Sequence, residues 1–530
     1  MSGLDLQAAA AASGLDAPGL RWAAVAVCAL AVVPAGLRWL RVAQREHYIP
    51  DAASRFALRW WASGPVNLVG LAIAAAAMVV SGRWAGTALV TGVVVAIGPL
   101  GLDLRGTSAP LAWTRRLRTL AGVWLVLQAA VVAVGAVLGV AAPVAAAGAL
   151  AVPAFVDLAC AVTAPFERRA ARSHVERARA RLARVVPTVV AITGSYGKTS
   201  TKGYVAHLVG AARAVVASPA SFNNRAGLAR AVNEHLAEGT DVFVAEMGTY
   251  GAGEIAELCE WLTPDVAVIT AIGPVHLERF GSEERIVEAK AEILTKARVG
   301  VLVVDDPRLR ALADRRVEAG LRTRRVSGAG APGEGAPRAD VRVANGPDGL
   351  CVWVDDVVVA EQAGVDGRAG NIACAIAVAL ELGVPAADIV SRLGTLPTAP
   401  HRLQPSTAPS GCLVLDDTYN ANPAGARVAL QALARVPGAG RRVLVTPGMV
   451  ELGARQAAEN ERFAEAAADV VNDVVVVGRT NRRALRRGLA GRDVAVTVVD
   501  RRAEAVDWVR QHLGAGDAVL YENDLPDHYP

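Results

Sequence analysis

Lysine is nearly absent from this chain. Of its 55 basic residues, 51 are arginine, and the lysines are Lys198, Lys202, Lys290 and Lys296 alone. Cysteine is sparse too. Cys28, Cys160, Cys259, Cys351, Cys374 and Cys412 are scattered with no CxxC pair, which argues against a disulfide framework or a structural zinc and fits a reducing compartment. Aromatic residues make up only 5% of the chain, and none interleaves with a basic patch, so nucleic acid is excluded as a partner. No basic residue precedes Arg21, so the first hydrophobic run lacks the charged start of a cleavable signal peptide.

What is abundant is Ala, Val and Leu, within a hydrophobic content of 53%. Residues 22–37, 65–82 and 84–102 carry no charge, and each is about the ~20 residues that cross a bilayer. Residues 120–166 hold one acid, Asp157, and are long enough for two passes with a turn near Pro143. Five spans are therefore expected. Arginines test the count through the positive-inside rule. Arg38, Arg41, Arg45, Arg55 and Arg59 follow the first span, Arg105, Arg115, Arg116 and Arg118 the third, and Arg168 onward the fifth. Only Arg21 and Arg83 fall on the other side. This pattern places the N-terminus outside and everything after Phe166 in the cytoplasm, at the inner membrane.

Charge divides the same way. Residues 1–166 sum to +5, residues 167–187 to another +5, and the remainder to −5. Basicity confined to a hydrophobic front end and its neck points to anionic lipid. The neck, "ERRAARSHVERARARLARVVP", reads as a basic linker helix ending at Pro187.

Beyond it, "TVVAITGSYGKTSTKGYVAHLVG" reads as an apolar strand, a glycine turn and a helix. Backbone N–H groups of such a turn, with the helix N-terminus, form an anion nest. Gly194, Ser195, Gly197, Lys198, Thr199 and Ser200 are the candidate phosphate contacts, with Lys198 reaching the outer phosphates and the Thr199 hydroxyl meeting Mg²⁺. The first glycine of the general phosphate-loop pattern is missing, so a plain glycine turn with an exposed lysine is the alternative. Glu246 closes an apolar strand, "DVFVAE", and a carboxylate there can hold Mg²⁺.

The compact "TGSYGKTST" resembles the Mur ligase family. Further strings follow in the family's order: "SFNNRAGL", "VAEMGTYGAGEI", "ITAIGPVHLERFGSEERIVEAKAEIL", "GRAGNIACAIAVAL", "HRLQ", "LDDTYNANPAGARVAL" and "GMVELG". The resemblance implies that His276 meets a second Mg²⁺ and that Lys290 takes up CO₂ to become an anionic carbamate beside the metals. It also implies that Asn371 contacts adenine, while Arg402 and Asp416 clamp the nucleotide from the last domain. Asp416, Tyr419 and Asn420 of "DDTYNANP" suit ribose and phosphate contacts, although such a stretch also makes an ordinary capped turn. Lys202 and Lys296 read as surface lysines. The family's near-terminal "KGSR" is replaced by "YENDLPDHYP", which brings in Glu522, Asp524 and Asp527.

The expected fold is multidomain. An all-α transmembrane bundle (1–166) and a linker helix (167–187) lead into an α/β ATP-binding domain (188–400) and a Rossmann-like α/β domain (401–530). In the last domain "GCLVLDD", "RRVLVTPG", "DVVVVG" and "DVAVTVVD" are the expected strands. The resemblance implies an ATP-dependent carboxylate–amine ligase working through an acyl phosphate. ATP, two Mg²⁺ and CO₂ as the carbamate are its expected cofactors. Its expected partners are an amino acid or dipeptide amine, a carboxylate acceptor that a lipid could present, and membrane lipid. A membrane-tethered polyglutamate or capsule-type ligase, and an ATPase-coupled transporter or sensor, are the alternatives.

Overall fold

A computed structural model of the chain describes residues 18–104, 110–219, 222–346, 349–362, 369–397, 403–418, 421–438, 440–525 and 528–530. It divides into two compact units. The first holds the described residues up to Ala170 with 478–480 and 525–530, and the second holds 171–477 and 481–524.

The first unit is helical. Its helices are Pro18–Arg45, Ala52–Trp61, Pro65–Val80, Ala88–Ile97, Arg115–Val137, Ala141–Leu150 and the first part of Val152–Val185. Gly19–Arg45 and Arg115–Val137 are long and apolar enough to cross a membrane, and counting each bent helix pair as one span gives up to four. Among the described residues, length and composition thus give two to four candidate spans where five are expected. Residues 84–102 supply only a 3₁₀ turn and the ten-residue helix Ala88–Ile97, about 15 Å long and half a bilayer. The expected turn near Pro143 instead falls at residues 138–140, and Pro143 lies within Ala141–Leu150. The basic neck is continuous with the preceding apolar helix through Val185.

Two charged side chains hold this unit together by satisfying helix ends. Asp157 accepts from the Ala53 and Ser54 amides at 3.0 and 2.9 Å, at the start of Ala52–Trp61. Arg38 donates to the carbonyls of Ala96, Ile97 and Gly98, closing the end of Ala88–Ile97. Residues near the end of the chain belong to the same unit. Trp60 Nε1 donates to the His528 carbonyl at 2.8 Å, His528 Nε2 meets Glu46 Oε1 at 3.0 Å, and Phe56 packs on the rings of His528 and Tyr529.

The second unit contains two sheets. The first comprises β1 (Thr188–Thr193), β2 (Val215–Ala217), β3 (Val242–Glu246), β4 (Val266–Ile269), β5 (Val299–Val303), β6 (Thr323–Ser327), β7 (Val341–Gly346), β8 (Gly349–Val354) and β9 (Val357–Gln362), in the order β2-β3-β1-β4-β5-β6-β7-β8-β9. Strands β1–β7 pair in parallel, while β8 and β9 extend the edge as an antiparallel meander. Strands β1, β3, β4 and β5 are buried, largely apolar runs, as strands covered on both faces are. Strand order reverses at β1, which opens a crevice at its carboxyl end.

The second sheet comprises β10 (Gln404–Thr407), β11 (Leu413–Asp417), β12 (Arg442–Thr446), β13 (Asp473–Val477), β14 (Ala495–Val499) and β15 (Ala518–Glu522), ordered β10-β11-β15-β12-β13-β14. Only β10 runs antiparallel.

Asp157→Ala leaves two helix-start amides without their acceptor and should cost about 1–2 kcal/mol. Thermal unfolding of the full-length protein checks this, with Asp157→Asn expected to recover part of the loss.

Candidate active site

The site grows from the carboxyl end of β1. Gly197 has φ 86°, a left-handed conformation that favours glycine, and a Cβ there would lie 2.4 Å from Asn371 Oδ1. At Gly194 a Cβ would lie 2.0 Å from Thr270 Oγ1. Both glycines are therefore required by close approach, and Gly197 by conformation as well. Ser195 is buried and pinned: its amide donates to Ala271 O, and its hydroxyl donates to Gly273 O and accepts from Gly273 N. Helix Lys198–Val209 starts directly after the loop, with Ser200 half-buried in its first turn. The unbonded amides of that turn make an anion site. Lys198 Nζ donates to Gly194 O at 2.8 Å.

Glu246 stands beside this helix because β1 and β3 pair in register, Ile192 against Glu246. Its side chain is almost wholly buried and fully engaged. Thr199 Oγ1 donates to Oε2 at 3.0 Å, Lys202 Nζ lies 3.2 Å from the same oxygen, and Asn223 Nδ2 donates to Oε1 at 3.2 Å. A hydroxyl and a carboxylate in contact are hard oxygen donors suited to Mg²⁺. The glycine cradle suits phosphate, and Asn371 adds a buried Nδ2 with no partner among the described residues. The residues present fit a magnesium nucleotide.

Lys202 corrects the surface reading: it is 6% exposed and paired with Glu246. It lies one helical turn from Lys198, so both face the strands. Lys296 stays at the surface, 2.6 Å from Glu260 Oε1. Lys290 is buried, and burial, reinforced by the charge of Lys198, holds its ammonium well below the usual lysine range. It therefore favours the neutral amine.

His276 is placed differently. It has φ 59°, its Nδ1 is hydrogen-bonded to Glu451 Oε2, and Tyr250 packs edge-on at 5.0 Å. Arg279 Nη2 lies 3.8 Å from the other Glu451 oxygen. Among the described residues no three His, Cys, Asp or Glu side chains gather as a metal site, so Glu246 and His276 do not form a ready-made cluster. Asp416 Oδ1 accepts from the Thr418 amide and hydroxyl at 3.1 and 2.6 Å. Arg402, Tyr419 and Asn420 lie outside the described residues.

Sequence reasoning missed Lys202, Asn223 and Glu451 as site residues. Asn223 and Glu451 sit inside the quoted strings "SFNNRAGL" and "GMVELG", but nothing local marks them. The scarcity of lysine was the signal available for Lys202.

A glycine loop feeding a helix N-terminus, with a threonine–carboxylate pair at the crevice of a parallel sheet, defines a nucleotide-binding α/β enzyme. Comparison with known proteins narrows the class. Residues 192–348 match the Mur ligase middle domain, and residues 401–521 match the Mur ligase glutamate ligase domain. UDP-N-acetylmuramoyl-tripeptide–D-alanyl-D-alanine ligase of Mycobacterium leprae is 34% identical over 377 residues, 63% of this chain and 70% of that protein. For its Mycobacterium tuberculosis counterpart the figures are 36% over 319 residues and 58% of that protein. Among solved structures, MurF from Thermotoga maritima in complex with ADP matches with TM-score 0.55 and 28% identity, over 67% of this chain and 80% of that one. MurF from Acinetobacter baumannii matches with TM-score 0.56 and 25% identity, over 67% and 77%. The chain belongs to the Mur ligase family, whose members are ATP-dependent, ADP-forming amide ligases of peptidoglycan precursor synthesis. ATP and Mg²⁺ use come with that membership.

Lys202→Ala would strand a buried carboxylate without its cation, a loss of about 3–5 kcal/mol. The expected outcome is a clear drop in melting temperature, with a larger stabilising shift on adding Mg²⁺ than wild type shows.

Proposed function

We propose that the chain joins a carboxylate acceptor to an amine at the expense of ATP. The acceptor is of the muramoyl-peptide class and the amine of the D-alanyl-D-alanine class. The acceptor carboxylate attacks the γ-phosphorus, the bond to the β-phosphate oxygen breaks, and ADP leaves. The amine nitrogen then attacks the acyl carbon, the bond to the phosphate oxygen breaks, and phosphate departs while the nitrogen proton passes to solvent. The Gly194–Thr199 loop and Lys198 hold the phosphates and meet the charge that develops on them. Thr199 and Glu246 would hold Mg²⁺, which supplies positive charge at the phosphoryl oxygens. Asn371, Arg402, Asp416, Tyr419 and Asn420 complete the nucleotide contacts in this reading.

Lys290 serves as a carbamate in the same reading, a role that the shift toward the neutral form favours, because only an uncharged nitrogen has the lone pair to take CO₂. His276 offers Nε2 to a second Mg²⁺, since Glu451 occupies Nδ1 and a carboxylate on the other ring nitrogen is the usual support of a metal-bound histidine. Residues 1–166 act as a membrane domain with the N-terminus outside. The basic linker 167–187 then leads to the catalytic domains 188–400 and 401–530 at the cytoplasmic face of the inner membrane, where a lipid-presented acceptor is in reach. Two long apolar helices and lipid-suited exposed residues such as Leu30, Val126 and Val137 support this placement.

The observation that carries the ligase reading is the Thr199–Glu246 contact at the head of the phosphate loop. Phosphate release should require ATP, UDP-N-acetylmuramoyl-tripeptide and D-alanyl-D-alanine together, and Lys198→Ala should lower kcat/KM about 10²–10³-fold. Full turnover in that variant would overturn the reading. Mass spectrometry of soluble and lipid-linked envelope precursors, with and without the protein, locates the product. For the carbamate, ¹³C-bicarbonate should give a carbamate carbon signal in wild type that Lys290→Ala lacks.

A further inference from the structure

Glu522 ends β15, the strand at the middle of the second sheet, and its side chain is fully buried. Oε2 accepts from the Thr446 hydroxyl at 3.0 Å, while Oε1 has no partner among the described residues. Burial, with the charge of Asp417 adding to it and the Thr446 hydrogen bond opposing it, pushes this carboxyl up to about 8. Asp417 faces it across the β11–β15 pairing, and β12 presents the Thr446 hydroxyl to it. Two residues past the end of the strand, Asp524 is ion-paired to Arg502. A carboxyl kept neutral and half-satisfied in the core costs stability, so what it holds matters.

It holds a loop. Thr446 Oγ1, while donating to Glu522, accepts from the Gly448 amide at 2.9 Å. Asn523, the next residue, has φ 64° and donates from Nδ2 to Gly448 O at 2.6 Å. Asn460 binds both the amide and the carbonyl of Met449, and Asn481 Nδ2 donates to the carbonyls of Pro447 and Met449. The loop then presents Glu451, at φ 65°, to His276. Its backbone is fixed from the β15 end by Glu522 and Asn523 and from the helical side by the two asparagines.

We propose that Glu522 is a positioning residue of the ligase site: its carboxyl, fixed to the Thr446 hydroxyl, holds the Thr446–Glu451 loop in the shape that brings Glu451 to His276. The turnover readout rests on the ligase reading, and the exchange readout does not.

The test uses the full-length protein and its Glu522→Gln and Glu522→Ala variants. Turnover and amide exchange at residues 446–451 are compared between the proteins at pH 7.5. Glu522→Ala should lose about tenfold in kcat, with faster loop exchange, and Glu522→Gln, which keeps an oxygen to accept from the Thr446 hydroxyl, should restore both. Loop exchange that is the same in all three proteins, or faster loop exchange with turnover unchanged, would overturn the proposal. If wild type shows no turnover, the ligase reading fails and exchange alone decides this one. Should Glu522→Ala not fold, Thr446→Val, which removes the hydroxyl that Glu522 holds, is read in its place.

Discussion

A carboxylate buried at the end of a strand must be matched or it will not stay charged, and the active site is arranged around meeting that demand for Glu246. Its oxygens take a hydroxyl from Thr199, a cation from Lys202 and an amide from Asn223. Those partners come from the helix after the phosphate loop and from the segment before helix Arg225–His235. The register Ile192–Glu246 sets where the carboxylate stands, so β1, β3 and the helix after β1 cannot move independently. The phosphate loop inherits its position from the same constraint, because its last residues are the first of that helix.

The phosphate loop was legible in the sequence because its requirements are local: an apolar strand, two glycines and a lysine in a chain that avoids lysine. Strands β11–β14 were legible for a similar reason, each a short β-branched run between turn residues. β15 is not legible as a strand, although it lies at the centre of its sheet. Its "AVLYE" ends in an acid that looks like surface, and its burial comes from β11 and β12, far off in sequence. Lys202 and Glu451 were hidden likewise, since only the folded helix face and the folded loop show what each touches. The extent of one apolar run is not legible in hydropathy: a window sees residues 84–102 as one run, whereas the helix stops at Ile97, ahead of the glycine–proline pair that follows it.

The two sheets of the second unit meet through side chains rather than through shared strands. Glu451 reaches from the loop after β12 to His276, and Arg455 pairs with Glu283 at 2.5 Å. Both contacts come from the stretch between β12 and helix Gln456–Ala468. That stretch is anchored by buried Asn460 and Asn481, whose multiple hydrogen bonds to backbone make it rigid. Paired contacts from one rigid segment tie the loop after β12 to His276 and Glu283 beside the first sheet.

The scarcity of lysine acquires a physical meaning from these placements. Arginine is a workable surface cation, and 51 positions use it. Its guanidinium is broad, planar and always charged. Lys198 needs a slender ammonium to fold into a loop whose carbonyl it meets at 2.8 Å. Lys202 must fit its charge into a fully packed space beside Glu246, where only 6% of the residue is exposed. Lys290 sits where burial and a neighbouring ammonium favour the neutral form, which a guanidinium cannot adopt. Three of the four lysines therefore occupy positions that arginine cannot fill, for three different reasons of size, packing and protonation. Only Lys296, exposed and paired with Glu260, is a place where either cation would do. In a chain whose composition drives lysine out, the lysines that remain mark the site.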